Sequence, residues 1–167
     1  MHHLESDAKT VTNNPPGLLG SLILPAIAAT IGGVATASSV KSWYPTLNKP
    51  SFNPPSAVFG PVWTTLYLLM GIADHVVSQQ GETEEIHRAR NIYRVQLGLN
   101  ALWSVLFFGR RSPIAGLVEI VFLWVAIVMT IVAFARISRL AALLLVPYLL
   151  WTSFAAVLNA AIWRKNR

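Results

Sequence analysis

The side chains best suited to hold a ligand in this chain are amides and aromatic rings inside apolar segments. In the stretch LGLNALWSVLFFG, Asn100 interrupts an apolar run, and Trp103 follows it by three residues. Residues at this spacing share one face of a helix, so the amide and the indole lie on the same side. An amide surrounded by hydrocarbon must find a partner, which indicates that Asn100 faces the inside of a helix bundle. There it either bonds a neighbouring helix or holds a ligand.

A second stretch, PYLLWTSFAAVLNAAIWRKN, carries a similar group near the end of the chain. Tyr148, Trp151, Ala155 and Asn159 recur at helical spacing and line one helix face. The small alanine between an indole and an amide leaves room beside the helix. We interpret this face as one wall of a pocket.

The stretch WYPTLNKPSFNPPSAVFGPVW, at residues 43–63, is rich in proline and aromatic residues. Its five prolines fix their own backbone angles and push the preceding residues toward extended conformations, so the segment is stiff at little entropic cost. A stiff aromatic segment can cover a pocket as a lid. The alternative is that it only joins two helices and places Trp43 and Tyr44 at the membrane interface.

Two acidic residues, Asp74 and Glu119, lie within or beside the apolar runs. An acid inside a membrane can handle protons or ions. Both lie near the ends of their runs, however, which favours structural pairing or contact with the interface. The sequence shows no nucleotide-binding loop, metal-ligand set or nucleophilic triad, and it contains no cysteine. We therefore expect no bound metal.

Apolar helices must position these side chains. Of the 167 residues, 54% are hydrophobic and 12% are charged, against about 25% charged in soluble domains. Five apolar runs follow one another at residues 18–40, 57–73, 95–109, 113–135 and 140–163. A spanning helix needs roughly 17–25 residues, which three runs reach alone and the other two reach with their neighbouring residues. The sequence predicts an all-α fold, an integral membrane five-helix transmembrane bundle.

The same runs define the organisation of the chain. Residues 1–17 form a polar N-terminal tail, and residues 18–166 form one five-span domain with a lid loop at residues 41–61. The charged segment at residues 79–91 is predicted to be a loop between the second and third spans. The net charge of +6 comes from basic residues between the apolar runs, which is typical of membrane-flanking charge and argues against nucleic acid as a partner.

Three segments together resemble a known family. WYPTLNKPSFNPPSAVFGPVWTTLY, LNALWSVLFFG and PYLLWTSFAAVLN are similar, in this order, to the signature segments of the translocator protein family, also called tryptophan-rich sensory proteins or peripheral benzodiazepine receptors. The resemblance implies a five-helix bundle, often a homodimer, in a lipid bilayer. In a eukaryote the bilayer would be the mitochondrial outer membrane or another organelle membrane, and in a bacterium a membrane of the cell envelope.

The resemblance also implies a ligand. Members bind porphyrins such as protoporphyrin IX and haem, and some bind sterols or benzodiazepine-type compounds, beneath the first loop; no cofactor is required. Carried over by position, the ligand-binding residues are Tyr44, Pro54, Trp63, Asn100, Trp151 and Ala155. Trp103 and Trp124 have no clear counterpart and are expected to be packing residues. Because Ala160 stands where animal members have a tyrosine in a proposed cholesterol motif, we expect weak sterol binding.

Two functions of different class follow from this resemblance. In the first, the protein is a carrier, transporter or stress sensor that holds tetrapyrroles or sterols in an apolar pocket with few polar groups. In the second, it is an enzyme that degrades protoporphyrin IX with light and oxygen. Trp63 and Trp151 would then be the catalytic residues, which pass electrons to the excited pigment. The chain lacks ordinary acid–base equipment, so the porphyrin itself would supply the reactivity.

Overall fold

The computed structural model describes residues 16–167 and shows an all-helical chain in this range. Five long helices follow one another: α1 (Leu18–Ser42), α2 (Ser56–Ser78), α3 (Glu84–Ser104), α4 (Pro113–Ile137) and α5 (Arg139–Lys165). A short 3₁₀ turn, Tyr44–Thr46, follows α1, and a π-helical turn, Val105–Gly109, follows α3. The fold class predicted from the sequence is confirmed. Of the predicted tail at residues 1–17, residues 1–15 lie outside the described range.

Four helices in the described range, α1, α2, α4 and α5, are long and apolar enough to cross a membrane. The remaining helix, α3, begins with charged turns and becomes apolar from Val95 onward. The π-helical turn extends it to Gly109, so its apolar part coincides with the third predicted run at residues 95–109. The chain is a multi-pass membrane protein whose surroundings are a lipid bilayer.

The helix α3 begins earlier than its polar composition predicts. The sequence analysis predicts a loop at residues 79–91, but only residues 79–83 connect α2 to α3. Thr83 caps the helix, since its Oγ1 accepts a hydrogen bond from the backbone N–H of Ile86 at 3.3 Å. Glu84 and Glu85 lie in the first turn, where negative charge interacts favourably with the helix dipole. These local interactions extend the helix beyond the apolar run.

The lid loop is shorter than predicted. It spans residues 43–55 instead of 41–61, because α1 continues to Ser42 and α2 begins at Ser56. Pro61, which we predict to lie at the end of the loop, is inside α2. The ring of proline fixes φ close to the helical value, and a membrane bundle tolerates the single backbone bond that it removes near a helix start.

The helices form a closed ring in the order α1, α2, α5, α4, α3, with α3 returning to α1. The helices α1 and α2 approach closely at Gly71. A Cβ atom at this position would lie 3.3 Å from the backbone Cα of Leu22, so the absence of a side chain permits the approach. Towards the lid loop, the two helices are separated by a cavity.

An ion pair joins α2 to α3 at the other end of the bundle. Arg90 donates its Nε to Asp74 Oδ1 at 2.8 Å and its Nη2 to Asp74 Oδ2 at 3.0 Å. The structural pairing predicted for Asp74 is confirmed. Glu119 is also buried, but no described group forms a hydrogen bond with its carboxylate.

Candidate functional site

An apolar cavity separates α1 from α2 beneath the lid loop. We call it the outer cavity, and its volume is about 540 Å³. Its walls include Gly32, Gly33 and Thr36 of α1, Phe59, Trp63 and Tyr67 of α2, Tyr44 of the lid loop, and Trp103, Ser104 and Phe108 at the back. Ligand pockets in proteins typically measure about 300–1,000 Å³ and carry few polar groups. The outer cavity has the size and lining to hold one hydrophobic molecule.

One wall of the outer cavity is aromatic because of helical spacing. Phe59, Trp63 and Tyr67 are four residues apart and therefore lie on the same face of α2. The rings of Trp63 and Tyr67 have centroids 5.6 Å apart and are tilted by 31°. On the opposite wall, Gly32 and Gly33 of α1 present backbone only. The outer cavity is therefore a wedge-shaped space between α1 and α2 with one flat aromatic wall.

A second, smaller cavity lies behind the aromatic wall. We call it the inner cavity, and its volume is about 40 Å³. Its lining comprises Tyr44, Phe59, Trp63, Trp103, Phe107, Phe108, Trp151, Ala155, Leu158, Asn159 and Ile162. Five of these residues also line the outer cavity, namely Tyr44, Phe59, Trp63, Trp103 and Phe108. A shared layer of aromatic rings therefore separates the two cavities.

A chain of hydrogen bonds crosses the bundle below the cavities. The hydroxyl of Tyr67 donates to Asn100 Oδ1 at 2.6 Å, and Asn100 Nδ2 donates to the hydroxyl of Tyr148 at 2.9 Å. These bonds join α2, α3 and α5, and Asn100 is buried. Of the two alternatives raised by the sequence, the structure favours the interhelical bond. Asn100 supports Tyr67, which in turn lines the outer cavity.

Tyr44 anchors the lid loop over both cavities. Its ring lies 6.5 Å from that of Phe107 and 5.7 Å from that of Phe108, centroid to centroid. Its hydroxyl donates a hydrogen bond to Asn53 Oδ1 at 2.7 Å. Burial raises the pKa of the Tyr44 phenol, and the hydrogen bond to Asn53 partly offsets this effect. The phenol therefore stays protonated and keeps donating to the loop at neutral pH.

Lys49 folds the loop back onto itself. Its Nζ donates to the backbone carbonyls of Tyr44, Pro45 and Leu47 at 2.9, 3.2 and 3.0 Å. The same ammonium group lies 5.1 Å from the centre of the Tyr44 ring, where a cation is attracted by the π face. Charge-assisted bonds of this kind are stronger than neutral ones. The loop is therefore a folded unit and more than a simple connection between helices.

Asn166 fastens this loop to the end of α5. The backbone N–H of Asn48 donates to Asn166 Oδ1 at 2.9 Å, and Asn166 Nδ2 donates to the carbonyl of Asn48 at 3.0 Å. The same Nδ2 also donates to the carbonyl of Ile162 at 2.7 Å, which holds the amide against α5. This pair of reciprocal bonds, which we call the clasp, closes the loop over the cavities.

We expect Asn166→Ala to release a bound ligand about ten times faster, because the two lost bonds are exposed and together contribute about 1.4 kcal/mol to the closed loop. The thermal midpoint of the ligand-free protein should change little, since the clasp is exposed. Stopped-flow dissociation of a bound porphyrin measures the rate. Asn91→Ala, an exposed asparagine on α3, is the matched control. An unchanged rate in Asn166→Ala would show that the clasp does not retain the ligand.

The π-helical turn shapes the back of both cavities. The helix ends at this turn, so the carbonyl of Phe108 has no partner within the helix, and Ser39 of α1 donates its Oγ to this carbonyl at 2.6 Å. Trp103 stacks on Phe107 at a centroid distance of 5.2 Å and an angle of 16°. Single π turns inside helices occur often at functional sites. Here the turn brings Phe107 and Phe108 together with Trp103 at the junction of the two cavities.

The predicted ligand-binding residues lie at different depths below the lid loop. Tyr44 and Trp63 line both cavities, whereas Trp151 and Ala155 line the inner cavity. Asn100 and Pro54 line neither of these two cavities. The two tryptophans predicted to be catalytic therefore differ in position: Trp63 faces both cavities, while Trp151 lies behind the aromatic layer.

Three aromatic residues are among the cavity-lining residues that sequence reasoning missed. Phe59 and Tyr67 lie four residues before and after Trp63, and this aromatic stripe was visible in the sequence as a helical repeat. Trp103, which we expect to be a packing residue, does stack on Phe107 but also lines both cavities. Trp124 lies on the outside of α4, where its Nε1 donates to Ser153 Oγ at 2.8 Å.

A lid loop above two apolar cavities in a ring of five helices defines the class: a helical multi-pass membrane protein with an apolar pocket at one end of the bundle. Within residues 16–167, no three acidic or histidine side chains are close enough to hold a metal ion. The chain belongs to the TspO/MBR family, whose sequence profile matches residues 21–164.

Individual relatives come from distant organisms. The chain is 48% identical to the tryptophan-rich protein TspO of Chlorobaculum tepidum over 136 residues, which cover 81% of this chain and 86% of the relative. It is 44% identical to the protein of the same name in Archaeoglobus fulgidus, over 89% of this chain and 96% of the relative. The human translocator protein is 38% identical over 89% of each chain. These matches confirm the family predicted from the three sequence segments.

Proposed function

We propose that this protein binds a porphyrin, such as protoporphyrin IX or haem, in the outer cavity. The observation that carries the proposal is the wedge of about 540 Å³ between α1 and α2, with the rings of Phe59, Trp63 and Tyr67 along one wall. A flat macrocycle gains apolar contact and stacking from such a wall. The glycines of the opposite wall allow the backbone of α1 to approach the other face of the macrocycle.

Charge at the lid end of the bundle supports an anionic ligand. In the described residues, the loops and the chain end on this side carry basic residues and no acidic ones, namely Lys41, Lys49, Arg110, Arg111, Arg164, Lys165 and Arg167. The opposite end carries both signs of charge, with Glu82, Glu84 and Glu85 beside Arg88, Arg136 and Arg139. An excess of one sign of charge around a cleft raises the local concentration of ligands of the opposite sign. The propionate groups of a porphyrin would meet this basic rim, while its apolar ring enters the wedge.

The direct test is a titration of protoporphyrin IX in the dark, followed by quenching of tryptophan fluorescence in lipid nanodiscs. We expect Trp63→Leu to weaken binding about tenfold, because stacking on a flat ring system contributes about 1–3 kcal/mol where it has been measured for nucleic-acid bases. Trp124→Leu, on the lipid-facing side of α4, should bind as the wild type does. Equal affinity of both variants and the wild type would count against the outer cavity as the site.

Light-driven degradation of protoporphyrin IX is the second candidate function. One observation favours it: Trp63 lines the proposed site and also contacts two tyrosine rings, those of Tyr67 at 5.6 Å and Tyr148 at 6.3 Å. An oxidisable indole beside the pigment, connected to further oxidisable rings, could supply electrons to an excited porphyrin. The reactivity itself would belong to the porphyrin.

Trp63→Phe should keep most of the dark affinity but lose most of the light-driven conversion, because phenylalanine preserves the contact area and is much harder to oxidise than indole. Trp151→Phe should lose less, since Trp151 lies behind the aromatic layer. Absorption spectra recorded during timed illumination under air measure the conversion, with Trp124→Phe as control. If every variant converts the pigment as fast as the wild type, the tryptophans take no part in the conversion. If the wild type converts the pigment no faster than free pigment is converted, the protein binds porphyrin without degrading it.

Sterol binding, a homodimer and the identity of the membrane stay predictions. Ala160, the position that distinguishes this chain from animal members, lines neither the outer nor the inner cavity. Weak sterol binding is therefore proposed to be independent of the porphyrin site. Transport or stress sensing would both begin with the binding step proposed here.

A further inference from the structure

A groove runs along the outside of the bundle between α3 and α4, at the end opposite the lid loop. One part of it has a volume of about 550 Å³ and is lined by Glu84, Glu85, Arg88, Ala89 and Ile92 of α3 and by Val128, Met129, Val132, Ala133 and Arg136 of α4. An adjoining part of about 460 Å³ shares four of these residues and continues to Val95 and Ala126. We call the two parts together the lateral groove. It is charged at the end of the bundle and apolar towards the middle.

The two walls of the lateral groove differ in character at the same depth. The helix α4 stays apolar as far as Ala135, and its Met129 and Val132 are 52% and 50% exposed, so this wall faces hydrocarbon. The facing turns of α3 carry charged side chains, and α3 becomes apolar only from Val95 onward. Charged groups beside a hydrocarbon-facing wall are unfavourable unless a polar partner meets them there.

The described part of the chain supplies no ionic partner to these charges. Glu84, Glu85, Arg88 and Arg136 are exposed, and the one ion pair within residues 16–167 joins two other side chains. Two carboxylates and two guanidinium groups therefore line one end of the lateral groove without a counter-charge. Their charges sum to zero, so a ligand that complements them carries one group of each sign.

The length of the lateral groove fits one leaflet of a bilayer. Along α4 it extends from Arg136 to Ala126, which is about 15 Å of helix at the usual rise per residue. The hydrocarbon core of a bilayer is about 30 Å thick, so this distance is about half of it. A lipid headgroup at the charged end would leave its acyl chain beside the apolar part of the groove.

We propose that the lateral groove binds a zwitterionic phospholipid whose headgroup ends in a primary ammonium group, a phosphatidylethanolamine. Its phosphate accepts hydrogen bonds from Arg88 and Arg136, since the fork of donors on a guanidinium group matches phosphate oxygens. Its ammonium group donates to the carboxylates of Glu84 and Glu85. The headgroup thus supplies the polar partner that the first turns of α3 need at this depth.

Other headgroups satisfy only part of this arrangement. Phosphatidylcholine has the same phosphate, but its quaternary ammonium has no N–H to donate to a carboxylate. Phosphatidylglycerol has no cation at all, so its net negative charge would lie beside two glutamates. The acidic pair in the lateral groove therefore selects for the primary ammonium, and the arginines hold any phosphate.

Native mass spectrometry tests the selection with phosphatidylethanolamine, phosphatidylcholine and phosphatidylglycerol of identical acyl chains, added to the delipidated protein in mild detergent. We expect the wild type to bind phosphatidylethanolamine about ten times more tightly than either of the others. The double variant Glu84→Gln with Glu85→Gln should bind phosphatidylethanolamine and phosphatidylcholine equally. Glu82→Gln, in the connection before α3 and outside the groove lining, is the matched control.

The arginines are tested separately. The double variant Arg88→Gln with Arg136→Gln should bind phosphatidylethanolamine and phosphatidylcholine about ten times more weakly than the wild type does. Arg139→Gln, at the start of α5 and outside the groove lining, should bind them as the wild type does. Equal affinity of the wild type for all three lipids would mean non-selective contact with the bilayer and would overturn the proposal, as would a preference for phosphatidylglycerol.

A second copy of this chain is the competing occupant of the lateral groove, and the same spectra give the oligomeric state. If the arginine variant loses lipid but keeps the oligomeric state of the wild type, the lipid site is supported. If it dissociates into monomers when no lipid is present, the groove is an interface between copies and the proposal fails.

Thermal unfolding separates lipid binding from a folding defect. Because the four charged side chains are exposed, all variants should unfold at the wild-type midpoint in lipid-free detergent. Added phosphatidylethanolamine should raise the midpoint of the wild type and of Arg139→Gln more than that of the arginine double variant. Equal rises in all three would overturn the proposal. The lateral groove lies at the end opposite both cavities, so these results do not depend on whether porphyrin binds.

Discussion

Gly33→Phe is expected to lower the affinity for protoporphyrin IX about 100-fold, a loss of about 2.7 kcal/mol, while the bundle stays folded. Gly33 lies in α1 and lines the outer cavity, and a Cβ atom built there would have nothing within 4 Å. A phenylalanine ring at this position therefore extends into the wedge without displacing protein atoms. It occupies the space that the macrocycle needs, and phenylalanine also suits a helix better than glycine.

The same blockage can be made from the opposite wall. Gly60 of α2 also lines the outer cavity and also has open space in front of it, so Gly60→Phe should weaken binding to a similar extent. Gly98 of α3 provides the matched control, because it has the same open space but lies outside the cavity lining. Gly98→Phe should bind porphyrin as the wild type does.

The measurement is the dark titration in nanodiscs, together with the thermal midpoint of each variant. Weak binding at normal thermal stability in both Gly33→Phe and Gly60→Phe would localise the ligand between α1 and α2. Normal affinity in both variants would exclude the outer cavity as the binding site.

Much of the fold could be predicted because a helix that crosses a bilayer needs an apolar run of about 17–25 residues. Four runs correspond to helices that qualify as spans by length and composition alone. The helix α3 could not be delimited in this way, because its first turns are charged and its start depends on a single cap, Thr83. The sequence also predicts too long a lid loop, because its prolines favour a loop as far as Pro61, whereas a membrane helix tolerates a proline in its second turn.

The candidate site was harder to predict, because helical spacing tells which residues share a face but not how far apart two helices lie. Trp63 and Trp151 are both part of the pocket region, yet the aromatic layer separates Trp151 from the larger cavity. That cavity lies between α1 and α2, which approach closely at Gly71 and leave open space nearer the lid loop. The approach of two particular helices is a tertiary contact without a local sequence signal.

The partners of buried polar residues also depend on tertiary structure. Asn100 was expected to face the bundle interior, but its partners, Tyr67 and Tyr148, come from two other helices. Asn159 is also an amide within an apolar run, but it has no hydrogen-bond partner within the described residues. The sequence cannot distinguish these two amides, because whether an amide finds a hydrogen-bond partner depends on the side chains of the helix that faces it.

Breaking the ion pair between Asp74 and Arg90 is expected to cause the largest loss of stability. The side chain of Asp74 is 3% exposed, whereas that of Arg90 is 18% exposed. Removing one partner of a buried ion pair costs about 3–5 kcal/mol, because the remaining charge is left without compensation. Arg90→Met should approach this range, since it leaves a buried carboxylate between α2 and α3. Asp74→Leu should cost less, because a long arginine side chain can extend its charged end towards water.

Three variants and the wild type form a cycle that isolates the interaction. The unfolding free energy in detergent should fall most for Arg90→Met, less for Asp74→Leu, and least for the double variant, in which neither charge remains. Recovery in the double variant follows because two apolar side chains of similar volume replace a pair whose desolvation offsets most of its attraction. Equal losses in both single variants that simply add in the double variant would show that the two side chains act independently. In that case the short helix connection at residues 79–83, and not the ion pair, would hold α3 against α2.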